Sequence, residues 1–303
     1  MKSNYRYIVK AFMAMAVIAG TTSCDDFLDR EPMSSISPET YYSTAAQLEA
    51  NLNDEYPNVL PSFGQWTYGI FGEDKGTDNQ IEVNANDRYT QDRWKVPHSE
   101  SDNWKFERIY RINFFLSEAL PKFGEDMSGS QNTISGSVAT IKHYIGEMYF
   151  LRAYEYFKKL QLFGDFPIID QPLADEMEAL REASKRFPRN EVARFIISDL
   201  DKAYAYMSDV DMATTRINKD AAMLVKSRVA LFEATWLQNF KGTAFVPGGE
   251  GWPGASLHNN YQYPSGNLDN EVKYFLEQAV EASKLVADKY KGNLTENTGV
   301  LQQ

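Results

Sequence analysis

The chain has 303 residues, a formal net charge of −11, 14% aromatic residues and a single cysteine. That length suits one large domain or two small ones. The acidic balance argues against a nucleic-acid partner, whose phosphates require Lys and Arg, and against a basic helix lying on a membrane. Cys24 has no second cysteine with which to form an intramolecular disulfide.

Lys2, Arg6 and Lys10 precede a short apolar run, Ala11 to Gly20, then the small residues Thr21-Thr22-Ser23 and Cys24. A charged start, a short apolar core and a small-residue cleavage site describe a secretory signal. The run is too short to span a bilayer, which takes about 20 apolar residues. Residues 1–23 are therefore expected to be removed, with Cys24 as the lipidated first residue, although Thr21 stands where a lipobox commonly has Leu. Residues 24–36 read as a polar, lipidated tether.

Ser37-Pro38-Glu39 predicts a helix start, with a Ser N-cap and Pro in the first turn, and a helix running to about Asn53. Residues 54–100 show no sustained helical period and are rich in Gly, Pro, Asp and Asn. An irregular stretch of that length is uncommon and often functional. Helical spacing then dominates. Helices are predicted over Ser101–Leu120, stopping at Pro121, over Val138–Phe163, ending at Gly164, and over Asn190–Met207. Asn218 is placed as the cap of a helix reaching about Asn239. A loop rich in Gly, Pro and aromatics, Gly242 to Gly266, carries Phe245, Trp252, Tyr261 and Tyr263. The last helix is predicted over Asp269–Tyr290, closed by Gly292. Small residues such as Gly146, Ala153, Ala222 and Ala230 allow close helix approach. The fold class expected is mostly α, with tetratricopeptide-like stacked helix pairs and long irregular loops.

Catalytic and metal patterns are weak. His98, His143 and His258 share no motif, and there is no His-x-x-x-His or Cys pair. The acidic segment Glu73 to Asn79 lacks the ligand order of a calcium-binding EF-hand. Gly248-Gly249-Glu250-Gly251 lacks the Lys-Ser/Thr of a phosphate loop. With 42 acidic residues, some pair will always match a glycosidase spacing. No cofactor, metal or enzymatic activity is expected. The remaining combination is aromatic rings beside short polar and charged side chains. Trp66, Tyr68, Tyr89 and Trp94 lie among Asp74, Asp78, Asn79 and Arg93. Aromatic faces with hydrogen-bonding neighbours match the C–H faces and hydroxyls of a sugar, so Trp66, Asp74, Asp78, Asn79, Arg93 and Trp94 are the candidate ligand-binding residues. The alternative is that these rings pack the long loop against the helices.

Several segments together resemble the SusD/RagB family of nutrient-uptake lipoproteins of the Bacteroidota outer membrane. They are Cys24-Asp-Asp-Phe-Leu-Asp-Arg-Glu-Pro; Trp104 with Tyr110 and Asn113; Gly146-Glu-Met-Tyr-Phe-Leu-Arg-Ala-Tyr-Glu-Tyr-Phe running on to Leu162-Phe-Gly-Asp-Phe-Pro167; Arg189-Asn-Glu-Val with Ile196-Ile-Ser-Asp-Leu; and Arg216-Ile-Asn-Lys-Asp-Ala-Ala with Lys226-Ser-Arg-Val-Ala-Leu. The physics of these motifs is mainly structural. Arg152, on an otherwise apolar face, is expected to pair with a buried acid, and Asp199 and Arg228 are candidates for helix–helix ion pairs. The resemblance implies a SusD-like helical domain over 37–303, with the C-terminal part of the longer family fold missing. It implies a non-catalytic, glycan-binding partner of a TonB-dependent (SusC-like) transporter, held by its lipid on the outer face of the outer membrane. Three other readings stay open: a surface glycosidase, a helical-repeat adaptor without a small ligand, and a binder of other nutrients such as peptides.

Overall fold

The computed structural model describes residues 41–61, 103–124, 126–208 and 212–293. These hold seven α-helices: α1 (Ala45–Val59), α2 (Glu107–Phe123), α3 (Val138–Phe163), α4 (Met177–Ala183), α5 (Arg189–Tyr206), α6 (Lys219–Asn239) and α7 (Leu268–Tyr290). Short 3-10 turns cover Pro253–Ser256 and Lys291–Asn293. Among the described residues β structure is limited to the isolated bridges Thr44–Ser135 and Phe166–Phe187. No described helix is long and apolar enough to cross a membrane.

The mostly helical, stacked architecture agrees with the expectation. α3 lies at its centre, against α1, α2 and α5; α5 then packs on α6 and α6 on α7. Gly146 meets Ala203 and Met207, while Arg152 meets Asp199, so α3 and α5 run antiparallel. Lys289 reaches Asp220 at one end of the next pair and Lys241 reaches Asp269 at the other, so α6 and α7 are antiparallel too. Helix pairs of this kind bury faces that neither helix could cover alone.

Local chemistry explains most boundaries. The Ser137 hydroxyl accepts from Thr140 N–H at the start of α3, and the Asn218 side chain accepts from Ala221 N–H at the start of α6. α3 and α6 match the predicted spans, and α5 is displaced by one residue at each end. Other boundaries differ. The first described helix, α1, is capped by Thr44, where a capping box with Gln47 satisfies the first turn, and it continues past Asn53 to Val59 with Pro57 inside it. α2 begins at Glu107 rather than Ser101 and passes through Pro121 to Phe123. Pro121 lacks the N–H that would bond the Ser117 carbonyl and its ring crowds that carbonyl, a cost confined to the last turns of the helix. α7 is followed by a 3-10 turn containing Gly292 instead of ending on that glycine. The short, exposed α4 carries no apolar period that would have announced it. The predicted signal, the tether with Cys24, and the helix start at Ser37 lie outside the described residues.

α3 is buried on nearly every side, and its charged residues are buried with it. Arg152 is 3% exposed. Its Nε and one Nη donate to the two Asp199 oxygens at 2.6 and 2.8 Å, and the other Nη donates to Asn113 Oδ1 and to the Asp170 carbonyl, both at 2.9 Å. The expected buried acid is thus Asp199. Arg228 does not take the role expected of it: it is exposed on α6, and α6 instead sends Lys226 to Asp201 on α5 at 2.7 Å. Toward the start of α3, Glu147 accepts from Tyr56 Oη of α1 at 2.9 Å and from two Arg216 nitrogens at 2.8 and 2.6 Å. His143 packs inside the stack, receiving Ser208 N–H on Nδ1 at 3.1 Å, so its Nε2–H points to the Ile217 carbonyl at 3.0 Å.

Gly146 marks the closest approach of α3 and α5. A Cβ there would stand 2.8 Å from Met207 N and 2.9 Å from the Ala203 carbonyl oxygen, both backbone atoms. Alanine would gain about 1 kcal/mol of helix propensity, but forcing two helices apart in a packed core costs about 1–3 kcal/mol. Gly146→Ala should therefore lower the urea midpoint. An unchanged or raised midpoint would show that the helices have room to spare.

Candidate functional site

The two long connections of the stack, residues 164–188 and 240–267, emerge at the same end, because α3 and α6 both finish there. Gly164 turns the chain out of α3 at φ +68°, a conformation that favours glycine. Phe166 and Phe187 then exchange two backbone hydrogen bonds at 3.2 and 3.1 Å, closing the first connection on itself. Trp104, from the start of the α2 segment, meets Phe163 and Phe166 edge-on, both at 4.9 Å between centroids.

Asp165 joins this turn to the second connection. Its Oδ1 accepts from the Arg189 backbone N–H at 2.9 Å, at the first turn of α5, and its Oδ2 accepts from Trp252 Nε1 at 2.7 Å. Burial pushes the carboxyl above its ordinary range, opposed by those two donors and by the Arg189 and Arg186 charges. Beneath it, the Arg189 guanidinium donates from Nε and Nη to both Glu233 oxygens at 2.9–3.2 Å and lies 4.0 Å from the Trp236 ring centroid. Complete burial raises the Glu233 carboxyl, against the pull of Arg189.

A third cluster pins the loop. Glu271, at the start of α7, accepts from Arg194 Nε at 2.7 Å, Asn190 Nδ2 at 2.9 Å and Ser265 N–H at 3.1 Å. Tyr261 Oη bonds Asn190, and Tyr263 Oη donates to the Pro247 carbonyl at 2.6 Å. His258 Nε2 is 2.7 Å from the Arg186 carbonyl. Of the four loop aromatics noted in the sequence, Trp252, Tyr261 and Tyr263 are therefore committed to structure, whereas Phe245 is 61% exposed.

The two connections enclose a cleft of about 630 Å³. Its walls include Gln161, Leu162, Arg186, Trp236, Phe245 and Leu257. Leu162 and Leu257 are 58% and 52% exposed. Trp236 donates Nε1–H to the Phe245 carbonyl at 3.0 Å, and Phe240 meets the Phe245 ring edge-on at 5.4 Å, so the exposed ring is held in place. Among the described lining residues Asp165 is the one acid, and both its oxygens are engaged. The arrangement suits binding by stacking and hydrogen bonding, and it is poorly suited to proton transfer. Among the described residues no cluster of three or more His, Cys, Asp or Glu is placed to hold a metal ion.

Trp66, Asp74, Asp78, Asn79, Arg93 and Trp94 lie outside the described residues, so the structure does not place them. Phe245 and Trp252 were noted in the sequence, but the cleft residues were not recognised as one site because they come from three separate segments. The one local signal was Leu162 and Phe245, apolar residues beside glycine turns.

Fold and cleft together define a helical-repeat scaffold that presents loop-borne aromatic and polar side chains at one end. A SusD-like family model, described as "Starch-binding associating with outer membrane", matches residues 26–231, and the chain belongs to this family. SusD-like protein P2 from Formosa agariphila is 25% identical over 253 residues, covering 80% of this chain and 46% of its own length. SusD-like protein P25 of the same organism is 25% identical over 233 residues, covering 71% and 41%. A solved SusD-like carbohydrate-binding protein from Bacteroides vulgatus superimposes with a TM-score of 0.46 at 14% identity, covering 84% of this chain and 47% of that one. The chain thus spans less than half the length of these relatives.

The Glu271 cluster supplies a pH test. Burial alone would raise this carboxyl; the donors from Arg194, Asn190 and Ser265 outweigh it and hold the group below its ordinary value of 4.5. A depressed folded pKa contributes stability above the unfolded value, and that contribution is lost as pH falls through the folded pKa. Glu271→Gln should therefore be destabilised at pH 7, with its deficit against the unmodified chain shrinking below about pH 4.5 in chemical denaturation. A deficit constant from pH 7 to pH 3 would show that the carboxylate charge is not what pins the loop.

Proposed function

We propose that this protein captures oligosaccharides at the cell surface and delivers them to a TonB-dependent outer-membrane transporter, without itself catalysing a reaction. The carrying observation is the family match over residues 26–231, which spans α1 to α5, the first part of α6 and the segment containing Trp66 and Trp94. In this reading residues 1–23 are a signal peptide and 24–36 a tether. Lipid on Cys24 holds the protein on the outer face of the outer membrane, since several acyl chains retain a protein where one holds weakly. Trp66 and Trp94 supply stacking faces, and Asp74, Asp78, Asn79 and Arg93 bond the hydroxyls.

The acid chemistry of the described cleft favours binding over hydrolysis. A glycosidase needs two carboxyl groups flanking the scissile bond. Asp165 has both oxygens occupied, and Glu233 is locked to Arg189.

The test uses the full-length lipidated protein. Neutral oligosaccharides should change its tryptophan fluorescence, Trp66→Ala and Trp94→Ala should each weaken binding about tenfold, and the transporter should co-purify with it. Silence toward every oligosaccharide, with no transporter recovered, would reject this reading. Release of shorter sugars from a glycan would favour the glycosidase instead.

A further inference from the structure

The described walls of the cleft between the α3–α5 connection and the α6–α7 loop differ in charge from the protein as a whole. The chain is strongly acidic. The cleft nevertheless presents a cation. Arg186 is exposed, its guanidinium stands 4.5 Å from the Trp104 ring centroid, and it forms no ion pair among the described residues. Asp165 lies within electrostatic reach of it, but Trp252 and the α5 backbone occupy both Asp165 oxygens. The other lining cation, Arg189, is closed off by Glu233. Stacking on Trp104 holds the Arg186 fork open for a planar anion, the geometry at which guanidinium outperforms ammonium. The Phe245 ring offers an apolar face, kept in place by Phe240 and by the Trp236 hydrogen bond to its carbonyl. Gln161, also exposed on the wall, adds an amide that can both donate and accept.

A C–H-rich ring face, hydroxyls and a carboxylate occur together on a uronic acid. We propose that this cleft is a second saccharide site, built for a uronate-bearing oligosaccharide, with Phe245 as its stacking face and Arg186 as the partner of the carboxylate. A cleft of about 630 Å³ is within the range of small-molecule sites, about 300–1,000 Å³. The choice of a sugar as the carrier of the carboxylate rests on the glycan-capture reading above; the position of the site and its preference for an anion rest on the cleft itself.

The experiment compares trigalacturonate with the neutral galactotriose on the full chain, by calorimetry. Four variants are included, Arg186→Gln, Phe245→Ala, Trp66→Ala and Trp94→Ala, each checked for fold by circular dichroism. Trigalacturonate should bind. Arg186→Gln should weaken that binding at least about tenfold, as loss of a charge-assisted bond does, and flatten its salt dependence. Phe245→Ala should weaken it as well. Trigalacturonate binding that ignores both Arg186 and Phe245, or follows Trp66 and Trp94 instead, overturns the proposal. If galactotriose binds through Trp66 and Trp94 and trigalacturonate does not bind, the second site falls and the glycan-capture reading stands. If neither sugar binds, nor any other oligosaccharide, both fall.

Discussion

A guanidinium carries five N–H donors and a charge it cannot shed, and stripping it of water costs several kcal/mol unless partners replace that water. Arg152 sits in the middle of α3 under that constraint. Asp199 from α5, Asn113 from α2 and the Asp170 carbonyl from the α3–α5 connection supply the partners. Asn113 in turn donates to the Ile169 carbonyl at 2.8 Å, and Tyr156 Oη receives Ile169 N–H at 2.8 Å. One side chain thus fixes the register of three helices and the path of the segment leaving the third. Slide α5 by a turn and the charge loses its carboxylate.

The same arrangement recurs along the stack. Glu147 gathers α1 and Arg216, Arg189 and Glu233 join α5 to α6, and Glu271 joins α5 to α7 and the loop. In each case the cation is arginine, whose planar fork satisfies both carboxylate oxygens at once. The pairs near the loop end also shape the surface. Arg189 holds Trp236 from below, and Asp165 ties Trp252 to the first turn of α5. The cleft walls are therefore fixed by buried charges, while Phe245 and Arg186 are left exposed on them. A bound sugar would meet a surface already in place, which limits the ordering cost of binding.

How much of this was legible in the sequence depended on the range of the interaction. α3 and α6 could be bounded because Ser137 and Asn218 cap them through neighbours three residues away. The Thr44–Gln47 capping box of α1 was equally local, but it was not read from the sequence. Pro121 read as a stop, although its penalty falls on the turn before it and the chain continues as helix to Phe123. Arg152 announced that it needed an acid, and Asp199 was named as an ion-pair candidate without being matched to it. Arg228, named as another ion-pair candidate, turned out exposed, because sequence alone does not say which cation of a helix faces its neighbour. The cleft was out of reach: Arg186, Trp236 and Phe245 come together only once the antiparallel pairs are formed.

The account rests on the Arg152–Asp199 pair setting the stack, and a double-mutant cycle in urea tests it most directly. Arg152→Met and Asp199→Leu should each cost about 3–5 kcal/mol, since each leaves an uncompensated buried charge. The double variant should recover most of that loss, because neither charge is then buried. Two small, additive losses would show that the pair is not what holds the helices in register.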